Sequence, residues 1–216
     1  VLFLFLLPLF VQRNFGIELP GTLEIIILLF IFAAEILGEM ENYYTKFPYW
    51  DTMLHTINGF ICAAIGFAMT DILNRNERIK FKLSPVFLAV VAFCFSMTIG
   101  VLWEFFEFSM DWFFGMDMQK DWIVPAINSV KLNPTGANIP INVDVQSVVI
   151  NGETWNLGGY LDIGIVDTMK DLMVNFVGAV VFSVIGILYL THRGKGKLAA
   201  SLIPQERDTN SEVSEK

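Results

Sequence analysis

Four stretches of this chain set ionisable groups three or four residues apart, the spacing that stacks side chains on one face of a helix. They are Glu35 and Glu39; Asp51 and His55, with Asn58 a turn further on; Glu104 and Glu107, with Asp111 beyond; and Asp167 and Asp171, continued by Asn175 and Gly178. Carboxylates crowded into a cleft of low dielectric cannot all ionise uncompensated, so they share protons, pair with bases or bind a cation. Bases are scarce here: Lys170 adjoins Asp171 in sequence but points elsewhere on a helix, and His55 is a single group. A bound divalent metal is the simplest compensation, with Asp51, His55, Glu104, Glu107, Asp167 and Asp171 as its expected ligands. One histidine among carboxylates suits Mn, Fe or Zn, whereas oxygen ligands alone suit Mg or Ca, and the sequence does not separate them.

Each group also has a plainer reading. Glu41, Asp117 and Asp121 read as solvated acids, Asn58, Asn175 and Ser183 as polar links between helices, and Glu35 and Glu39 stay open between the two. Glu104 and Glu107 favour a buried role, because they continue a long apolar helix among Trp103, Phe105 and Phe106. Cys62 and Cys94 fall inside apolar runs and read as small packing residues. No nucleophile or basic phosphate clamp is recognisable, so no catalytic residue is assigned and no organic cofactor is implied.

The elements that position these groups are membrane helices. Of 216 residues 54% are hydrophobic and 17% charged, with a mean hydropathy of +0.56; a soluble domain carries roughly 25% charged residues. Leu83–Trp103 and Leu172–Leu190 hold no formal charge, and Leu54–Thr70 has His55 and Asn58 near its start. A bilayer core of about 30 Å needs about 20 helical residues. Thr22–Gly38, interrupted by Glu24 and Glu35, supplies a fourth segment. Val1–Val11 supplies a fifth, read as a retained helix because it lacks the basic lead and cleavage pattern of a signal peptide. The expected fold is an all-α integral membrane protein of about five transmembrane helices.

Charge gives the orientation. Asn74–Lys82 contains Arg75, Arg78, Lys80 and Lys82 against Glu77, and the stretch after the last helix contains His192, Arg193, Lys195 and Lys197. The positive-inside rule puts both in the cytoplasm. The chain is then expected to be a multi-pass protein of the cell membrane, with its C-terminus cytoplasmic and the acidic helix ends outside. Fourteen acids against four lysines lie on that outer side, which disfavours a nucleic-acid partner and favours cations. The membrane domain is expected over 1–190, with an outer loop at 115–166 and a disordered cytoplasmic tail at 191–216. Within the loop, alternation from Ile139 to Val145 and the Asn151-Gly152 pair after Val148-Val149-Ile150 predict a small extracytoplasmic β-hairpin.

The motifs Asp51-Thr-Met-Leu-His55, Trp103-Glu104-Phe-Phe-Glu107 and Asp167-Thr-Met-Lys-Asp171-Leu-Met-Val-Asn175-Phe-Val-Gly178 resemble the YjdF-like family of bacterial membrane-spanning proteins. The resemblance covers roughly 38–190; it implies a membrane bundle and assigns no activity. More distantly, Asp51 and His55, then Glu104 or Glu107, then Asp171, Asn175, Gly178 and Ala179 are similar in order to the VanZ-like group, which is tied to the cell envelope. Glu107 stands where that group has Gln, and its Arg before the final Asp has no counterpart. Antibiotic resistance is therefore not implied.

Three functions fit: a metal-dependent enzyme acting on a lipid head group or lipid-linked envelope substrate, a cation or proton transporter, and a non-catalytic protein with a structural metal. The depth of the acids, level with lipid head groups, favours the first over the second, since transport sites usually lie near the midplane. The bilayer is the one partner the sequence requires.

Overall fold

A computed structural model describes residues 4–15, 17–75, 82–192, 202 and 205–206. The chain divides into two compact units, Val1–Leu102 with Asp171–Lys216, and Trp103–Lys170.

The first unit is helical. After a 3-10 turn, α1 (Leu7–Phe15) leads through β1 (Ile17–Glu18), which pairs antiparallel with β8 (Gln205–Glu206), into α2 (Gly21–Ile31). α2 runs on as a π-helix over Phe32–Met40, closed by the Glu41 N–H on the Ile36 carbonyl at 3.0 Å. A short α3 (Tyr43–Lys46) follows, its rings packed with Phe47 and Trp50. Then come α4 (Trp50–Arg75), α5 (Pro85–Phe114) and α6 (Ile165–Thr191).

Four helical spans among the described residues are long and apolar enough to cross a membrane: Gly21–Met40, Trp50–Arg75, Pro85–Phe114 and Ile165–Thr191. The first expected segment is not one of them. α1 has nine residues, about 14 Å at 1.5 Å per residue, short of a 30 Å core. The basic stretch expected at 74–82 falls in part, and that at 193–197 wholly, outside the described residues. Where it is described, Asn74 ties the start of α5 down: its Oδ1 accepts the Leu83 N–H at 2.6 Å.

α5 opens with Pro85 in its first turn, where a missing N–H costs nothing, and with the Ser84 hydroxyl accepting the Phe87 N–H. The unit's core is built from Leu23, Ile27 and Ile31 of α2, Ile61, Ala64 and Phe67 of α4, Leu88 and Ala92 of α5, and Ala179 and Phe182 of α6. Buried positions on α5 recur as Leu88, Ala92, Ser96 and Gly100, four residues apart and small after the first. Such a stripe lets helix backbones approach closely where lipid provides no hydrophobic drive for helices to associate.

The second unit holds the end of α5, the start of α6 and the segment joining them. α5 stops at Gly115, whose φ of +64° turns the chain while Met116 N–H reaches back to the Met110 carbonyl. In place of the single hairpin expected here, three two-stranded antiparallel ladders form. β2 (Trp122–Val124) pairs with β7 (Tyr160–Asp162), β3 (Ala126–Ser129) with β4 (Ile141–Asp144), and β5 (Val148–Ile150) with β6 (Glu153–Trp155). The Asn151-Gly152 turn falls where expected, both residues at positive φ (53° and 88°), as a two-residue hairpin demands. The alternating stretch Ile139–Val145 is the difference: its strand, Ile141–Asp144, takes Ala126–Ser129 as partner, a pairing no local turn announces.

Candidate functional site

α4 starts two residues after Pro48, so Asp51 lies in its first turn and His55 one turn on. α6 brings Asp171 in its second turn. One ligand atom from each of Asp51, His55 and Asp171 lies within 4.8 Å of the other two. The His55 Nε2 to Asp51 Oδ1 distance is 3.6 Å. His55 and Asp171 are buried, at 7% and 0% exposure, and Asp51 is half-buried. Ligands about 2.1 Å from a shared ion stand roughly 3.0–4.2 Å apart, so a pair at the 4.8 Å limit has to close by about 0.6 Å or more to hold one. One imidazole nitrogen with two carboxylates is a donor set that fits Mn, Fe or Zn. Asp51 lies in the first turn of α4, where the helix dipole favours negative charge; Asp171 lies one turn further into α6, beyond the reach of that effect.

A polar knot lies along the same faces of α4 and α6. The Asn58 amide, three residues past His55, donates to Asn175 Oδ1 at 3.2 Å; Asn175, four past Asp171, is fully buried and directs its own amide at Met97 Sδ at 3.6 Å. Cys62 donates to Asn58 Oδ1, and Ser96 donates to the Gly59 carbonyl at 2.8 Å. Glycines make the approach feasible. A Cβ on Gly59 would stand 2.1 Å from the Asn175 carbonyl oxygen, and one on Gly178 2.0 Å from that of Thr56. The asparagines and Gly178 stand out in the sequence. Gly59, Ser96, Met97 and Gly100 were not read as part of the site, although Ala92, Ser96 and Gly100 at four-residue spacing already mark a close helix contact.

The remaining expected ligands belong to the other unit. Glu104 and Glu107 are buried on α5, and Glu107 Oε1 accepts the Trp103 indole N–H at 2.8 Å. Asp167, also buried, receives the Lys120 backbone N–H at 2.7 Å and the Trp122 indole N–H at 3.4 Å, which ties the loop before β2 to the start of α6. Asp111 does the same for the loop after α5, accepting the N–H groups of Met118 and Gln119. Asp162 caps α6 through the Val166 N–H. Glu35 and Glu39 do not share one buried stripe: on the π-helix Glu35 is half-buried and Glu39 exposed. Asp121, exposed beside these groups, has its carboxyl raised above the usual range by partial desolvation first and then by Asp117, Asp111 and Asp162, with Lys120 opposing.

A family model described as "Predicted membrane protein (DUF2238)" matches residues 1–192, nearly nine-tenths of the chain. This chain belongs to the DUF2238 family. All four apolar spans of this DUF2238 protein fall within the match, which makes it a multi-pass membrane protein. It is similar to an uncharacterized protein of Thermotoga maritima, 29% identical over 94 residues. That stretch is 44% of the DUF2238 chain and 46% of the relative, so the chain matches about half of the relative's length. No solved structure matches.

Proposed function

We propose that this protein holds a divalent metal ion between the N-terminal turns of α4 and α6, with Asp51, His55 and Asp171 as its core ligands. The observation that carries the proposal is the convergence of those three ligand atoms within 4.8 Å in a membrane protein. Two carboxylates and an imidazole held that close, largely out of water, are held together most cheaply by a cation. Glu104, Glu107 and Asp167 stay in the proposal as further ligands, supported by their burial and by the sequence spacing.

The orientation belongs to the proposal too: by the positive-inside rule the acidic helix ends face outward from the cell membrane and the C-terminus lies in the cytoplasm. A metal held by these helix-end acids could activate water or clamp a phosphate, which supports an enzyme acting on lipid-linked envelope substrates. When bound, the ion supplies Lewis acidity; the protein's own residues position it, His55 and Asp171 from buried sites and Asp51 from the rim.

Metal analysis of purified protein, with thermal melts before and after chelation, tests the reading. The expected result is about one ion per chain and a lower melting temperature after chelation, because a ligand that binds only the folded state stabilises it. Well-folded protein that carries no ion, and whose melting point does not move with Mn, Fe, Zn, Mg or Ca, overturns it.

A further inference from the structure

Every fully buried residue of Trp103–Lys170 carries a polar side chain or is a glycine. The unit thus has no apolar core of its own. Its ladders are all two-stranded, a form that is marginal alone in water. Meanwhile Trp112, Phe113, Phe114 and Met116 at the end of α5, with Ile163 and Ile165 at the start of α6, are each more than half exposed. They are not at loose ends. The β2/β7 ladder joins the segment leaving α5 to the segment entering α6, and the Asp111 and Asp167 carboxylates pin that joint through backbone N–H groups. Six large apolar side chains are therefore held out as a collar around two helix ends.

We propose that this collar is seated in the head-group layer of the bilayer and anchors the unit to the membrane surface. Length supports it. The 30 residues of α5 measure about 45 Å, or about 42 Å at the average tilt of roughly 20°, which matches the 40–45 Å of a bilayer with its head groups. The last turn of α5, with Trp112, Phe113 and Phe114, then lies where amphipathic aromatic rings are enriched. The exposed rings of Phe105, Phe106 and Phe108 precede it on the same stretch of helix. Charge excludes the obvious rival. The unit carries nine acids against three lysines, so a second copy seated on it would bring like charge to like charge, and anionic lipid would not attract it either. Insertion of the rings is the attraction that remains.

The test uses the full chain in phosphatidylcholine vesicles, with Cys62→Ala and Cys94→Ser, and a spin label at Phe113→Cys, Ile163→Cys or Val149→Cys. At 113 and 163 the label should collide with lipid-soluble oxygen more than with a water-soluble nickel chelate. At 149, on the exposed β5 hairpin, the ratio should reverse, and 0.5 M salt should change none of these. Nickel access at 113 and 163 equal to that at 149 would overturn the proposal, as would shielding of both from either reagent, the mark of a protein partner. A second measurement needs no cysteine variant: brominated lipid should quench Trp fluorescence less in Trp112→Phe than in the native chain. Equal quenching would count against the anchor.

Discussion

Around Asn175 three helices approach so closely that glycine is required at the contacts, and every polar side chain of the knot has a partner on a neighbouring helix or turn. Between Gly115 and Gly164 the same chain runs through three separate ladders whose apolar side chains are mostly exposed and whose glycines at 136, 152 and 158 have open space around them. In the first region a glycine is fixed by what its neighbours occupy; in the second, Gly136, Gly152 and Gly158 are fixed by their own backbone angle, and Gly159 and Gly164 are the crowded exceptions. The difference teaches where the stability of the protein resides, and it can be broken at either end.

The largest effect is expected from Gly178→Ala and Gly59→Ala. The atoms a methyl group would meet are backbone carbonyls at 2.0 and 2.1 Å, which cannot swing aside, so α4 and α6 must separate. Overpacking of this kind costs about 1–3 kcal/mol or more. Thermal melts in detergent should drop accordingly, and, because His55 and Asp171 ride on the same two helices, bound metal should be lost as well. Retention of full metal with a native melting point would show that the knot and the proposed centre are independent.

Next come His55→Ala and Asp171→Asn. In metal-saturated buffer the native chain should gain about 2.7 kcal/mol at a free ion concentration of 100 Kd, and both variants should lose that gain. Their melting points should then ignore chelator. Glu104→Gln and Glu107→Gln should weaken binding too, by a smaller factor than the core pair. Asn175→Ala follows at about 1–2 kcal/mol, since hydrogen bonds between membrane helices average well under that and a small cavity adds to the loss. Its informative readout is metal affinity: a fall beyond the loss in stability would mark Asn175 as a positioning residue for Asp171.

The membrane helices were legible because apolar runs and helical spacing are local properties of a sequence. The spacing of the acids was legible in the same way: of the six expected ligands, Asp51, His55 and Asp171 come within 4.8 Å of one another. The Asn151-Gly152 turn was legible for the same reason. The partner of Ile141–Asp144 was not, because strand pairing across eleven intervening residues is decided by the whole loop. The hydrogen-bonding roles of Asp111 and Asp162 were hidden as well: an acid that caps backbone N–H groups has the same letter as one that faces water. The π-helix of Phe32–Met40 has no sequence mark that we can name.

In the second region, Gly136→Ala should cost about 1 kcal/mol through its φ of +70° alone, since nothing stands within 4 Å of the added methyl. The loss should stay local, read as faster amide exchange in the β3/β4 ladder with unchanged exchange in α4 and α6. Global loosening would mean that the two units unfold together.

The smallest effect, and the sharpest on electrostatics, is expected at Asp121. Its folded carboxyl is raised, by desolvation and by the neighbouring Asp117, Asp111 and Asp162, above the roughly 3.9 of an unfolded chain. The folded state therefore holds this proton more tightly than the unfolded state does. The favourable contribution is fully present below the unfolded value and is lost as pH rises through the folded one, so at neutral pH the ionised group is a slight liability. Asp121→Asn removes both the proton and the repulsion. The variant should match the native chain at low pH and exceed it slightly at pH 7, with metal binding unchanged, because Asp121 is exposed in the segment between α5 and α6 and not among the proposed ligands. Amide exchange at Lys120 and Trp122, measured from pH 3 to pH 7, reports this locally after correction for intrinsic exchange. A variant less protected than the native chain at pH 7 would mean that Asp121 is held by an attraction outweighing its three acidic neighbours.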